Sequence, residues 1–369
     1  MAKKDIVVIG ASAGGMDALQ RLVGGLERGY RGAIFVVWHL SPGMRTILPD
    51  LLSRKGPLPA AHPQDGDPIE PGRIYIAPAD HHMLVERGYI RVARGPKENR
   101  FRPAVDPLFR SAAYVYGART VGVVLSGALD DGTSGLWTVK LRGGTTVVQD
   151  PADALHRSMP LNAMENVTID YKLPAAAIGP LLARLGREEA AADRALSETA
   201  HAKLEREVRI AEEDEALEKD LLHYGELSRY TCPECHGVLT LLRDGRIVRF
   251  RCHTGHAYSA SVLLESLGEQ VEDRLWEAVR ALDETVILLN QMGEAAARDG
   301  DTRAAERLFD RAREAHERSA PIREAAVEGG LADEDLAAQR DAGREARAPD
   351  DRRRGHALVE GPRHPAEDG

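Results

Sequence analysis

Three cysteines are all that 369 residues contain, an odd number that argues against a closed disulfide framework. Aromatic residues are scarce, at 5%, so no stacking surface for single-stranded bases is expected. Excess positive charge is also lacking. The formal net charge is −9, which argues against a nucleic-acid or anionic-membrane partner. No apolar run in the chain approaches the roughly 20 residues of a spanning helix. The start, MAKKDIVVIG, has two lysines, but its apolar run is too short for a secretory signal. These absences point to a cytoplasmic protein without membrane insertion. What is present is ordinary for a globular chain: 43% apolar and 29% charged residues, in a length that allows two or more folded units.

Residues 1–185 alternate between strand and helix patterns. Ile6–Ile9, Ala33–Trp38, Arg73–Ala77, Val121–Leu125 and Thr145–Gln149 are mostly continuous apolar or β-branched runs, as strands buried on both faces should be. Helical patterns lie at Met16–Leu26 and Val105–Tyr116, and Met83–Val85 with Tyr89–Val92 reads as a β-hairpin around Glu86-Arg87-Gly88. The expected fold class is α/β, a doubly wound, mostly parallel sheet with a hairpin. Composition then changes. Residues 186–228, rich in Ala, Glu, Arg and Leu, predict one long charged helix. Leu204, Val208 and Ala211 share one of its faces, as do Leu217, Leu221 and Tyr224; the helix reads either as a solvated linker or as a pairing helix.

Residues 229–258 hold every cysteine. Residues 259–330 predict helices. There Leu267, Val271, Leu275, Val279, Leu282, Val286 and Leu289 form a stripe that a helix near 302–318, or a second copy of the chain, should cover. Residues 331–369 have the composition of a disordered tail.

Gly10-Ala11-Ser12-Ala13-Gly14 can be read in two ways. It fits the strand-turn-helix elbow G-x-S-x-G that presents a serine nucleophile. It also approximates a dinucleotide fingerprint, with Ser12 where the second glycine belongs. That glycine exists because a side chain would collide with a pyrophosphate, and the second strand ends in His39 rather than an acid for the ribose. Ser12 and His39 both follow strands, and TVGVVLSGALDDGTSG puts Asp130 and Asp131 after a third. In a parallel sheet such ends gather at one crevice, so a serine, a histidine and an aspartate can form a nucleophilic relay. The chain order differs from the serine, acid, histidine order of α/β-hydrolases.

Several separated motifs now resemble one family: IGASAGG, WHLSPG, RPAVDPLF, LSGALDDGTSG, and GGTTVVQDP followed by SMPLNAME. Residues 4–185 are similar to the catalytic domain of chemotaxis protein-glutamate methylesterases of CheB type. The resemblance implies Ser12 as nucleophile, His39 as base and Asp131, the acid before Gly132, as orienting acid. It implies hydrolysis of γ-glutamyl methyl esters, and deamidation of glutamine, on a methylated helical receptor. The alternative is a catalytically silent scaffold or docking protein in a signalling array. The sequence departs from the family's usual pattern at Ala13, Ala128 and Asp130. Chemotaxis members also carry a phospho-receiver before this domain. The first strand here begins at residue 5, so no phosphorylation gate within this chain is expected.

The segment YTCPECHGVLTLLRDGRIVRFRCHTGHAYS has C-x2-C followed by C-x3-H, spacing suited to a closed structural zinc site. The expected ligands are Cys232, Cys235, Cys252 and His256. His253, adjacent to Cys252, would strain to reach the same ion, and His236 is weaker. Val238–Leu242 and Arg246–Phe250 predict a hairpin around Asp244-Gly245, completing a zinc-ribbon-like module. Similar extensions ending in a GHAYS-like motif occur on stand-alone relatives of the family, and a docking role is expected. The helices beyond could support a homo-oligomer.

Overall fold

Six residues, Ile6–Ala11, are all buried, and this sets the architecture. The computed structural model describes residues 2–39, 47–212 and 225–328. β1 (Ile6–Ala11) leads through α1 (Gly15–Gly24) to β2 (Ala33–Trp38), α2 (Leu48–Lys55), β3 (Ala60–Ala61) and β4 (Ile74–Ile76). The hairpin β5 (His82–Val85) and β6 (Ile90–Ala93) precedes α3 (Val105–Tyr116), β7 (Thr120–Val124), α4 (Thr133–Leu141) and β8 (Thr145–Gln149). Then come α5 (Ser158–Asn166), β9 (Tyr171–Leu173) and α6 (Ala175–Leu185). The sheet order is β3-β4-β2-β1-β7-β8-β9, parallel at every pairing.

Burial on both faces explains the apolar strands. Val7 and Ile9 pack with Leu19 and Leu22 of α1 and Leu182 of α6. Ile6 and Val8 point the other way, to Leu108 and Phe109 of α3 and Leu136 of α4. Alternate residues feed opposite cores, so a one-residue slip would exchange them. The chain leaves β1 toward β2 on one side and returns with β7 on the other. Such a reversal opens a crevice at the carboxyl ends of the strands.

Beyond residue 185 the structure corrects the sequence reading. No single charged helix spans 186–228. Residues 189–194 form an extended strap: Ala190 N–H donates to the Ala2 carbonyl (2.9 Å), Ala118 N–H to Asp193 Oδ1 (2.9 Å) and Arg142 Nη1 to the Arg194 carbonyl (2.7 Å). Helix α7 runs only over Glu198–Glu212. Helix propensity favoured the longer element, but these long-range hydrogen bonds override it. Nor is α7 a solvated linker, since its Leu204, Val208 and Ala211 are buried. It packs on α3 and the β5–β6 hairpin. Leu217, Leu221, Tyr224 and the tail from 331 lie outside the described residues.

A second, antiparallel sheet follows in the order β10 (Glu226–Thr231), β11 (Val238–Asp244), β12 (Ile247–Cys252), β13 (Ala257–Ser259). Then α8 (Ala260–Arg298) and α9 (Thr302–Glu328) pack together as a helical hairpin. Val279 and Leu289 of the predicted stripe are buried, while Val271 stays 51% exposed. Among the described residues, no helix is long and apolar enough to cross a membrane.

Buried charge joins α3, α7 and the loop before α3 to the second sheet. Glu98, Arg110, Glu207, Arg249 and Arg251 are each at most 2% exposed. Arg110 pairs with Glu98. Arg251 Nη2 donates to Glu98 Oε1 (2.8 Å) and Glu207 Oε2 (2.9 Å). Arg249 Nη2 donates to Glu207 Oε2 (2.9 Å) and its Nε to Asp244 Oδ2 (2.6 Å). Burial pushes both glutamates up, yet the guanidiniums outweigh it and hold each carboxyl below its usual range. Removing one partner leaves buried cations uncompensated, so Glu207→Ala should cost about 3–5 kcal/mol in urea unfolding. A loss under about 1 kcal/mol, the size of a surface pair, would contradict this reading of the cluster.

Candidate active site

The turn after β1 requires glycine at position 14. Gly14 has φ +70, and a Cβ there would meet Ser126 Oγ at 2.7 Å and Leu155 Cβ at 2.8 Å. Ser12 lies in this turn, its N–H donating to the Ser126 carbonyl and its carbonyl accepting from Trp38 Nε1, each at 2.9 Å. The Ser12 hydroxyl therefore stands at the mouth of α1, next to the adjoining strand ends.

His39 follows β2, and its N–H donates to the Ala11 carbonyl at 3.2 Å. Its Nδ1 lies 3.0 Å from Ser12 Oγ, and its Nε2 lies 2.8 Å from Asp131 Oδ2. The histidine and aspartate side chains are 5% and 2% exposed. Because the carboxylate accepts, Nε2 carries the ring proton. Nδ1 then offers a lone pair to the serine hydroxyl. The opposite face of the imidazole is fixed by Phe101, stacked with centroids 3.7 Å apart and planes at 8°. Thus Ser12, His39 and Asp131, singled out in the sequence, come together at the ends of β1, β2 and β7.

Asp131 sits just before α4, whose first turn begins at Gly132 with φ +92. Besides His39, its donors are Val105 N–H (2.7 Å), Asp106 N–H (3.3 Å) and Asn99 Nδ2 (3.0 Å). Burial pushes the carboxyl up, but His39, Val105 and Asn99 outweigh it and hold it below its usual range. Nearby Asp106 moves the other way. Burial, with the charge of Asp131, raises it to about 8. One member of the pair is kept anionic and the other pushed toward the neutral form. Asp130 has different partners: it accepts from the hydroxyls of Ser259 (2.7 Å) and Ser261 (2.8 Å).

Sequence reasoning missed the roles of Asn99, Phe101 and Asp106. Val105 and Asp106 fall within RPAVDPLF, but their amides, not their side chains, hold Asp131. Asn99 has φ +49 and Arg100 φ +71, left-handed conformations that asparagine tolerates better than most. Only a turn-forming Asn in KENRF hinted at that. Leu40–Gly43 of WHLSPG lie outside the described residues.

The second cluster is a candidate metal centre. Cys232, Cys235, Cys252 and His256 bring one ligand atom each within 4.8 Å of all the others. Cys235 and Cys252 sulfurs are 3.6 Å apart, and His256 Nδ1 lies 3.7 Å from Cys232 Sγ and 3.6 Å from Cys252 Sγ. A tetrahedron with metal–sulfur bonds of about 2.3 Å and a metal–nitrogen bond of about 2.0 Å has edges of roughly 3.5–3.8 Å, so the donor set fits. His256 Nε2 faces Glu234 Oε2 at 3.5 Å, the carboxylate–imidazole pairing that orients ligating histidines. His253 and His236 are not in the cluster; the His253 ring closes over Gly237, where a Cβ would meet it at 2.1 Å.

With this geometry in place, similarity to known proteins is specific. The CheB methylesterase family matches residues 7–182. A protein-glutamate methylesterase/protein-glutamine glutaminase of Anaeromyxobacter dehalogenans is 38% identical over 186 residues, covering 50% of this chain and 54% of that one. Its counterpart from Caulobacter vibrioides is 38% identical over 192 residues, covering 50% and 55%. The chain spans about half the length of the curated relatives it matches. The crystal structure of the Thermotoga maritima CheB methylesterase catalytic domain is 34% identical, with a TM-score of 0.48, covering 50% of this chain and 99% of that one. Through residues 7–182, this chain belongs to the CheB methylesterase family.

Proposed function

We propose that this protein is a serine hydrolase that removes methyl esters from glutamate side chains of a chemoreceptor-like protein. The observation that carries the reading is the continuous contact Ser12 Oγ–His39 Nδ1–His39 Nε2–Asp131 Oδ2, at 3.0 and 2.8 Å. His39 Nδ1 takes the serine proton as Oγ attacks the ester carbonyl. The methoxy group leaves as methanol with that proton, and a γ-glutamyl ester of Ser12 remains. Water, deprotonated at the same nitrogen, then releases glutamate and restores the serine. On glutamine the leaving group is ammonia, so the same cycle deamidates. Asp131 holds the Nε2 proton and offsets the positive charge that forms on the ring. The N–H groups of Ala13 and Gly14, at the N-terminal end of α1, are the donors we assign to the oxyanion. A substrate of this kind, on the cytoplasmic part of a receptor, fits a cytoplasmic enzyme. Exposed Val271, Ile287 and Leu288 on α8 support self-association through the C-terminal helices.

We infer that the three cysteines and His256 hold one zinc ion. Four protein ligands close the coordination shell, so its role would be structural, and no step of hydrolysis passes through it. The module would add a docking surface to the hydrolase.

Two measurements test these readings. Methanol release from methylated receptor should fall by at least ~10³-fold in Ser12→Ala, and by about 10³–10⁴-fold in Asp131→Asn, with stable folds. Equal rates in wild type and Ser12→Ala would leave only the silent scaffold. Elemental analysis should find one zinc per chain, and stripping it should lower Tm sharply, since structural zinc contributes roughly 10 kcal/mol or more in small modules. A metal-free protein with unchanged Tm would exclude the site.

A further inference from the structure

The metal-binding sheet ends against the acid of the hydrolase. β13 begins one residue after His256, and Tyr258 Oη lies 3.3 Å from Cys232 Sγ. The other edge of β13 faces a segment of the hydrolase, Lys97–Asn99. Glu98 bridges Ala257 in parallel, Ala257 N–H donates to the Lys97 carbonyl (3.2 Å), and Asn99 N–H donates to the Ala257 carbonyl (2.8 Å). Ser259 N–H then donates to Asn99 Oδ1 at 2.9 Å. The amide nitrogen of that asparagine donates to Asp131 Oδ1 at 3.0 Å and to Asp106 Oδ2 at 3.2 Å. Leu129, two residues before the acid, packs into the apolar core that contains Cys232 and Cys252.

We propose that the cysteine–histidine module is a positioning element for the hydrolase: β13, anchored at its metal ligand His256, holds Asn99 through the Ser259 amide, and Asn99 holds Asp131. The inference rests on the proposed roles of Ser12, His39 and Asp131. Asn99 is buried and reaches the site through Asp131. His39 and the Val105 amide take Oδ2 of the carboxylate; Asn99 takes Oδ1, with the Asp106 amide as a longer second donor (3.3 Å), and its own carbonyl accepts from the Ser259 amide of β13. A hydrolase with this wiring works at full rate only when its metal module is formed. Metal loss or thiol oxidation would then slow it without touching the nucleophile.

The full-length, zinc-loaded protein tests this with a fluorophosphonate that labels Ser12, and with p-nitrophenyl acetate. Asn99→Ala should slow labelling by about 10–100-fold, the scale of a small misplacement of a catalytic group. On the ester, kcat per site titrated by the fluorophosphonate should fall, with KM within about twofold, whereas general destabilisation would lower the number of titrated sites instead. Ser259→Pro suits the observed φ of −70 and deletes the N–H; it should label at least about fivefold slower than Ser259→Ala, which keeps the N–H. Cys235→Ser, checked for metal content and Tm, should slow labelling in the wild-type background and add nothing further to Asn99→Ala, because both break one path. If wild type is labelled while all of these variants react equally fast, the inference fails alone. If wild type resists the probe, the proposed nucleophile fails and takes the inference with it. If Cys235→Ser and Asn99→Ala are additive, the module acts by another route, which also overturns the proposal.

Discussion

A carboxylate taken out of water needs a donor for every lone pair it keeps, and Asp131, 1% exposed, meets that demand from three parts of the chain. The imidazole of His39, the first amides of α3 and the side chain of Asn99 converge on two oxygens. Remove the carboxylate and the histidine loses the partner that decides which nitrogen bears the proton. The serine contact at Nδ1 depends on that choice. The remainder of the parallel sheet serves this geometry by bringing the ends of β2, β1 and β7 side by side at the reversal of strand order.

The same demand explains how a second sheet comes to be part of the structure. Glu98 and Asn99 are neighbours. One side chain pairs with arginines of α3 and β12, and the other reaches the acid. Glu207 brings α7 into the same buried network. Burying five charged groups together carries a large desolvation cost, so the arrangement tolerates little movement between the parallel-sheet domain and the cysteine–histidine module. That rigidity makes the proposed link from the cysteines to Asp131 physically reasonable.

Much of this was legible in the sequence because the physics is local. β-branched runs gave five strands of the main sheet, and a small-residue turn, a strand-ending histidine and a paired Asp gave the site. The edge strands β3 and β9, two and three residues long, carry no pattern and exist only through pairing with β4 and β8. Asn99 was invisible because its partners lie 32 and 160 residues away. The stretch 187–197 has the composition of a helix but is drawn out by backbone partners at Ala2, Ala118 and Arg142 that no window of sequence contains. For Asp130 and Asp131, adjacent and chemically identical, only family resemblance separated the two. In three dimensions they separate by partner, one facing His39 and the other facing Ser259 and Ser261.

The tautomer of His39 is the most direct test of the account. Nitrogen-15 spectra of the imidazole at neutral pH should place the proton on Nε2, hydrogen-bonded to Asp131, with Nδ1 bare toward Ser12. A proton on Nδ1 would contradict it, because that nitrogen could then take nothing from the serine.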